Sequence, residues 1–133
     1  MTRNLPAIDG DRFWNTILAS AEIGAGPHGG LARLTLSEAD GRMRRLFRAW
    51  AEEAGYGITV DRLGNTFVRR PGTDDSLPPV LVGSHLDTQA AGGRFDGILG
   101  VMAGLEILRP LDDAGTRTRR AIEVVNWTNE EGG

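Results

Sequence analysis

The sequence contains no cysteine among its 133 residues. Disulfide bonds and thiolate zinc sites are therefore excluded, and any metal must be held by histidine, aspartate or glutamate. The sequence also has no apolar run close to the roughly 20 residues of a membrane helix, and its first residues lack the apolar stretch of a secretory signal. We expect a cytoplasmic protein without a membrane partner.

Positive charge is not in excess, since 15 basic residues face 18 acidic ones and the net charge is -3. Such a chain has no broad positive field to hold nucleic-acid phosphates or anionic lipid. We therefore expect no nucleic-acid partner. The composition, 40% hydrophobic and 25% charged, is that of a globular protein, and the length fits one domain with a real core.

Apolar residues at helical spacing predict three helices. The predicted helices begin after Asp9 or Asp11, after Ser37 and at Gly97, and they end before Gly24, at Gly55 and before Pro110. Four arginines line the polar face of the second helix, and we interpret them as solvated: Arg42, Arg44, Arg45 and Arg48. The three tryptophans follow helix or strand patterns, which favours the core for Trp14, Trp50 and Trp127.

Strand patterns predict a hairpin and a parallel pair. The runs 57–61 and 66–70 flank a turn-type sequence and indicate a hairpin. The continuous apolar run 80–82 predicts a buried strand, and 121–127 predicts a second strand of the buried type, with the third helix between them. This βαβ order implies parallel strands. Active sites of open α/β sheets lie at the carboxyl ends of such strands.

Three short motifs follow those strands and carry the candidate chemistry. They are Gly-Ser-His-Leu-Asp-Thr at 83–88, Gly-Gly-Arg-Phe-Asp-Gly at 92–97 and Asn-Trp-Thr-Asn-Glu-Glu-Gly-Gly at 126–133. Together they supply one imidazole and four carboxylates, which suit a divalent metal such as zinc, manganese or cobalt. Each motif alone has an ordinary structural explanation, but independent chance matches multiply, which favours a metal site.

The first motif supplies His85 and Asp87 at the end of the first buried strand. We expect His85 to bind a metal through one ring nitrogen, and Asp87 to orient the ligands through a hydrogen bond. The alternative is a histidine in a strand-end turn beside an aspartate that caps the loop.

The second motif supplies Asp96, directly before the predicted crossover helix. Aspartate is a common helix cap, which is the ordinary explanation. The glycines around it allow close approach of the backbone and favour a further role. In two-metal hydrolytic sites the ions lie roughly 4 Å apart, so one carboxylate can bridge them. Asp96 is the bridging candidate.

The third motif supplies adjacent Glu130 and Glu131 after the second buried strand. Neighbouring acids commonly lie exposed on a loop, but a rigid strand aims at least one of these at the same sheet edge. One can ligate a metal while the other acts as general base. His28, the only other histidine, lies in a glycine-rich loop, where we expect solvent exposure.

These motifs resemble the M20 metallohydrolase superfamily, and within it the amidase and carbamoylase branch: N-carbamoyl-L-amino-acid hydrolases, β-ureidopropionases and allantoate amidohydrolases. Segments 29–36 and 61–65 are also similar to that branch, so the resemblance covers nearly the whole chain. It implies an α/β fold, namely the N-terminal part of a zinc-peptidase-like catalytic domain with a βαβ unit and a mixed sheet.

The resemblance also implies a role for each candidate residue. His85 would ligate one metal, Asp96 would bridge two metals, and Glu131 would ligate the other. Glu130 would be the general base, and Asp87 would support His85. The implied cofactors are two divalent ions, drawn from zinc, manganese, cobalt and nickel.

The implied activity is hydrolysis of a non-peptide C–N bond in a linear amide or ureido compound of the N-carbamoyl amino acid or allantoate type. The partner would be that small-molecule substrate, and the complete enzyme is expected to be a homodimer. One alternative is the peptidase or aminoacylase side of M20, against which the motif at 92–97 argues. Another is a non-catalytic remnant of a disrupted gene.

Members of the family that the sequence resembles continue beyond the position that corresponds to Gly133. We therefore expect residues 1–133 to be one partial catalytic domain, without the dimerisation or lid domain and the C-terminal half. Each metal would keep two of three expected protein ligands, so binding should be weak and the chain alone inactive. We also expect the strand at 121–127 to expose an unpaired apolar edge that favours association.

Overall fold

The signals in the sequence produce three α-helices and four strands over residues 5–133, the part of the chain that this computed structural model describes. The prediction that no secretory signal opens the chain falls partly on residues 1–4, which lie outside the described residues. The helices are α1 (Gly10–Ala21), α2 (Glu38–Glu53) and α3 (Ile98–Asp113), and the strands are β1 (Gly57–Val60), β2 (Thr66–Arg70), β3 (Val80–His85) and β4 (Ile122–Trp127).

Side-chain caps fix where the first two helices begin. Asp9 accepts a hydrogen bond from the Arg12 N–H at 2.9 Å, and Ser37 accepts one from the Asp40 N–H at 3.2 Å. Both caps satisfy amide groups that have no partner within the helix, as predicted. None of the helices in residues 5–133 is long and apolar enough to cross a membrane.

The predicted end of α3 at Pro110 is wrong, because the helix continues to Asp113. Proline removes its own N–H from the helical ladder, but its carbonyl can still accept. The Ala114 N–H donates to that carbonyl at 3.0 Å, so the last turn closes normally. Pro110 itself is buried.

The sheet has the strand order β1-β2-β4-β3 and is mixed, as predicted. The β1–β2 hairpin and the β2–β4 pair are antiparallel, whereas β3 and β4 are parallel neighbours joined by α3. Because β4 lies between β2 and β3, the expectation that its edge is unpaired is wrong. The edge strands are β1 and β3 instead, and the first residues of β3, Val80 and Leu81, are 51% and 46% exposed rather than buried.

Helix α3 packs closely on β4 because it carries a glycine at the contact. A Cβ added at Gly104 would lie 2.6 Å from Val124 Cγ1. The prediction of core tryptophans fails at two of three positions, since Trp14 and Trp127 are 49% and 39% exposed. Trp14 lies against Phe95, with ring centroids 5.9 Å apart, whereas Trp50 packs on the core as predicted.

Candidate metal centre

The parallel pairing of β3 and β4 brings the first and third motifs to one edge of the sheet. His85 is the last residue of β3 and lies opposite Trp127, the last residue of β4. Glu130 and Glu131 follow in the next turn. One potential ligand atom from each of His85, Glu130 and Glu131 lies within 4.8 Å of the other two. Three of the five predicted residues therefore form one group.

The surroundings of His85 indicate which ring nitrogen faces this group. His85 is 5% exposed. Its Nδ1 lies 2.9 Å from the main-chain carbonyl oxygen of Asp87, and its Nε2 lies 3.4 Å from Glu130 Oε2. A proton on Nδ1 satisfies the carbonyl and leaves the Nε2 lone pair toward the carboxylates. Nε2 is thus the candidate ligand atom.

Asp87 joins the two loops that carry the group. Its Oδ2 accepts a hydrogen bond from the Glu131 N–H at 3.2 Å, and its main-chain carbonyl bonds His85. The carboxylate itself lies farther from His85, with Oδ1 at 3.6 Å from Nδ1. Although Asp87 is 1% exposed, Oδ1 has no hydrogen-bond partner among the described residues. Buried polar atoms without partners are uncommon and costly, so each calls for an explanation such as a catalytic role or a bound ion.

The two glutamates have different surroundings. Glu131 is partly buried, and its Oε2 accepts a hydrogen bond from Gln89 Nε2 at 3.0 Å. The Glu130 side chain is 55% exposed and faces His85 Nε2. Glu131 is thus held in place, whereas Glu130 is open to solvent.

Asp96 lies exposed in the loop before α3 and is not part of the group formed by His85 and the two glutamates. The capping position of α3 is occupied by Gly97 with φ 71°, and no side chain caps this helix. Capping therefore does not account for the Asp96 carboxylate. Gly97 packs on the imidazole, since a Cβ there would lie 2.4 Å from His85 Cε1. The bridging role of Asp96 stays a prediction.

Gly97→Ala is expected to weaken divalent-metal binding by about tenfold, in the range that loss of an outer-shell contact costs. The added methyl group must displace the His85 ring that it would overlap. Gly55→Ala is the matched control, because Gly55 also has a positive φ, 76°, but open space around its Cβ position. Cobalt titration of both variants checks this, and equal affinities would contradict it.

His28 is exposed, as predicted, but its loop lies closer to the second motif than the sequence suggests. The Leu31 N–H donates to the Gly92 carbonyl at 2.8 Å, and Arg94 Nε donates to the Gly29 carbonyl at 2.6 Å. The loop around His28 therefore packs on the segment that leads to Asp96.

Sequence reasoning missed the polar residues that hold the loop after β4. Asn126 Oδ1, near the end of β4, accepts from the Leu86 N–H at 2.8 Å and so ties β4 to the loop after β3. Asn65 Oδ1 accepts from the Thr128 N–H at 2.8 Å. Arg44, predicted to be solvated, donates to Thr128 Oγ1 at 3.1 Å. Two features of the sequence could have indicated these contacts. They are Asn126, a polar residue at the end of a buried strand, and the 61–65 segment, which contains Asn65.

The Asn65 side chain also lowers the pKa of Asp61, by donating from Nδ2 to Oδ2 at 2.8 Å. Asn65→Ala should therefore raise the Asp61 pKa toward its usual range, as carboxyl NMR titration would measure. The pKa of Asp61 is lower in the folded state than in the unfolded state. Asp61 therefore stabilises the fold at pH values above its unfolded pKa, and this stabilisation is lost as the pH falls through its folded pKa.

Asp74 is the internal control for that titration. Hydrogen bonds from Ser76 lower the pKa of Asp74, and Asn65 takes no part in them. The pKa of Asp74 should be unchanged in Asn65→Ala. An unchanged Asp61 pKa would show that Asn65 does not hold this turn.

The fold is an α/β arrangement with a mixed sheet, and a histidine and two glutamates lie at the carboxyl ends of its parallel strands. This is the architecture of a peptidase-like, metal-dependent hydrolase domain. The sequence profile of Peptidase family M28 matches residues 65–133, slightly more than half of the chain. The chain therefore belongs to Peptidase family M28. Members of this family are metal-dependent hydrolases.

Two relatives carry names from the branch that the sequence resembles. This chain is 53% identical to the N-carbamoyl-L-amino-acid amidohydrolase of Rhizobium meliloti over 94% of its own length and 30% of the relative. It is 41% identical to the N-carbamoyl-L-amino acid amidohydrolase of Geobacillus stearothermophilus over 94% of its length and 31% of the relative. The predicted amidase and carbamoylase resemblance is confirmed by these proteins.

Solved structures agree with this branch. A hydantoinase/carbamoylase family amidase from Burkholderia ambifaria superimposes with a TM-score of 0.95 at 53% identity, over 98% of this chain and 32% of that one. The predicted peptidase-like α/β fold is thus confirmed. The chain spans just under a third of the length of the relatives that it matches.

Proposed function

We propose that this chain supplies part of the catalytic site of a metal-dependent amidohydrolase that cleaves a non-peptide C–N bond, with an N-carbamoyl amino acid or related ureido compound as substrate. The observation that carries the proposal is the grouping of His85, Glu130 and Glu131 within 4.8 Å at the ends of parallel strands. The amidohydrolase names of the relatives support the substrate class.

The residues present fit a divalent ion. Imidazole and carboxylates suit zinc, manganese, cobalt and nickel. The buried Asp87 Oδ1, which has no hydrogen-bond partner among the described residues, also supports a site that a cation completes. We assign His85 Nε2 and Glu131 as the groups that would each hold one ion, and Asp96 as the carboxylate that would be shared by the two. The held position of Glu131 suits a ligand, because a preorganised donor loses little freedom on binding.

Glu130 is the proposed general base. Bound divalent ions supply Lewis-acid polarisation of the scissile carbonyl and favour deprotonation of the attacking water. The Glu130 carboxylate, exposed and beside His85, accepts the proton of that water as its oxygen bonds to the carbonyl carbon. It then returns the proton to the leaving nitrogen as the C–N bond breaks. Asp87 positions His85 and Glu131 during both steps.

Further parts of the proposal concern the whole protein. Residues 1–133 are one partial catalytic domain, and a dimerisation or lid domain and a second half of the catalytic domain belong to the complete enzyme. The complete enzyme is a cytoplasmic homodimer whose partner is the small-molecule substrate.

A chimera tests this function. The chain is joined to the remaining sequence of the Rhizobium meliloti relative, stripped of metal, reloaded with zinc, manganese, cobalt or nickel, and assayed for amino-acid release. We expect hydrolysis of N-carbamoyl amino acids at a kcat/KM at least about 100-fold above that for N-acetyl amino acids or dipeptides. Substrates without the carbamoyl NH2 group would leave polar groups of the enzyme unpaired, which discriminates strongly between substrates. Preferred cleavage of dipeptides would favour the peptidase alternative.

A further inference from the structure

We propose that Arg33 is a positioning residue for the metal centre, which fixes the main chain of the loop that joins His85 to Asp87. The inference rests on the proposed function, because it assigns Arg33 a purpose at the same site. Arg33 touches neither His85 nor the glutamates through a hydrogen bond, and it acts through Leu86 and Thr88.

The Arg33 side chain is fully buried, with 0% exposure, and all three guanidinium nitrogens have partners. Nε donates to the Leu86 carbonyl at 2.8 Å. Nη1 donates to the carbonyls of Ser20 and Ile23, each at 2.9 Å, and Nη2 donates to Ser20 Oγ at 3.2 Å. One planar group therefore ties the end of α1 to the loop after β3.

The main chain of Arg33 holds the same loop a second time. Its N–H donates to Thr88 Oγ1 at 2.8 Å, and its carbonyl accepts from the Thr88 N–H at 2.8 Å. The Leu86 N–H is meanwhile bound by Asn126. The peptide groups directly before and after Asp87 are therefore both held by hydrogen bonds.

The cost of burying Arg33 indicates that it does more than fill space. Its guanidinium bonds are to neutral oxygens, and burial lowers the pKa of Arg33 to about 10. Asp40 and Asp87 act on its charge only through space. An apolar side chain would join α1 to the loop without desolvating a charge, but it would not fix the direction of the Leu86 carbonyl.

That direction matters because Asp87 controls both ends of the ligand group. Its carbonyl bonds His85 Nδ1, and its carboxylate bonds the Glu131 N–H. A rotation of the loop would therefore move the imidazole and the Glu131 main chain together. Arg33 limits this rotation by holding the peptide groups before and after Asp87.

Arg33→Lys tests the inference in the 133-residue chain. Lysine keeps the charge but loses the planar fork that reaches Leu86 and Ser20 simultaneously. We expect cobalt affinity, measured by visible absorption, to fall about tenfold, as for the loss of an outer-shell partner. Amide hydrogen exchange at Leu86 and Thr88, measured without metal, should become faster by a similar factor.

Arg70→Lys is the matched control. The Arg70 side chain is 9% exposed and donates to Asp112 Oδ1 and to the Thr116 carbonyl, both at 2.6 Å. It pairs with Ile122, at the end of β4 that is opposite to the site. This variant should lower the urea midpoint of unfolding but leave cobalt affinity and exchange at Leu86 unchanged.

Each outcome decides one question. Unchanged cobalt affinity and unchanged exchange in Arg33→Lys would overturn the inference, as would equal losses in Arg70→Lys. Absence of hydrolysis by the metal-loaded chimera would contradict the proposed function, and the exchange rates would still decide the role of Arg33. If Arg33→Lys does not fold, Ser20→Ala removes one acceptor, and unchanged exchange at Leu86 and Thr88 would overturn the inference.

Discussion

His85→Ala is expected to reduce the cobalt affinity of this chain by more than the roughly 10- to 100-fold that loss of an outer-shell partner costs. His85 offers the one imidazole in the group, and the Nε2 lone pair faces the carboxylates because Nδ1 is engaged by the Asp87 carbonyl. Removal leaves carboxylates alone, which bind cobalt and zinc less strongly than sites with a nitrogen ligand. Visible absorption and titration calorimetry measure the change.

His28→Ala is the control for that measurement. It removes the only other imidazole of the chain from an exposed loop outside the group. Its cobalt affinity should stay within about twofold of the parent value, since surface substitutions away from a site have small effects. Equal loss in both variants, or retention in His85→Ala, would show that the metal binds elsewhere.

Sequence periodicity was sufficient to predict the sheet order near the site. The apolar runs that became β3 and β4, with a helix between them, implied parallel neighbours, and the register places His85 opposite Trp127. The grouping of His85 with the glutamates follows from that register and not from the motifs separately. Local capping signals such as Ser37 also sufficed, because they act within one helical turn.

Long-range polar contacts could not be predicted in the same way. Arg44 and Arg33 both look like ordinary arginines in the sequence, yet Arg44 bonds Thr128 in the turn after β4 and Arg33 is fully buried. The position of a strand within the sheet is equally hard to predict from the sequence. Val80 begins an apolar run that is typical of a buried strand, but it lies at an edge because β4 pairs with β2 on its other side.

Glu130→Gln should reduce turnover strongly while leaving metal binding almost intact. In the chimera described above, we expect kcat to fall by about 100- to 10,000-fold, the range that general acid–base catalysis contributes. Glutamine keeps the size of the side chain but cannot accept the proton of the attacking water. The Glu130 side chain is 55% exposed and is not held by Gln89 or Asp87, so its replacement disturbs little structure.

Glu131→Gln should give the opposite pattern. Its carboxylate is held by Gln89 and its N–H by Asp87, so it is preorganised to donate charge to an ion, and the amide removes that charge. We expect about tenfold or greater loss of cobalt affinity, with activity restored in part by excess metal. If Glu130→Gln loses metal and Glu131→Gln keeps it while losing turnover, the two roles are reversed, because the structure places both carboxylates within reach of His85.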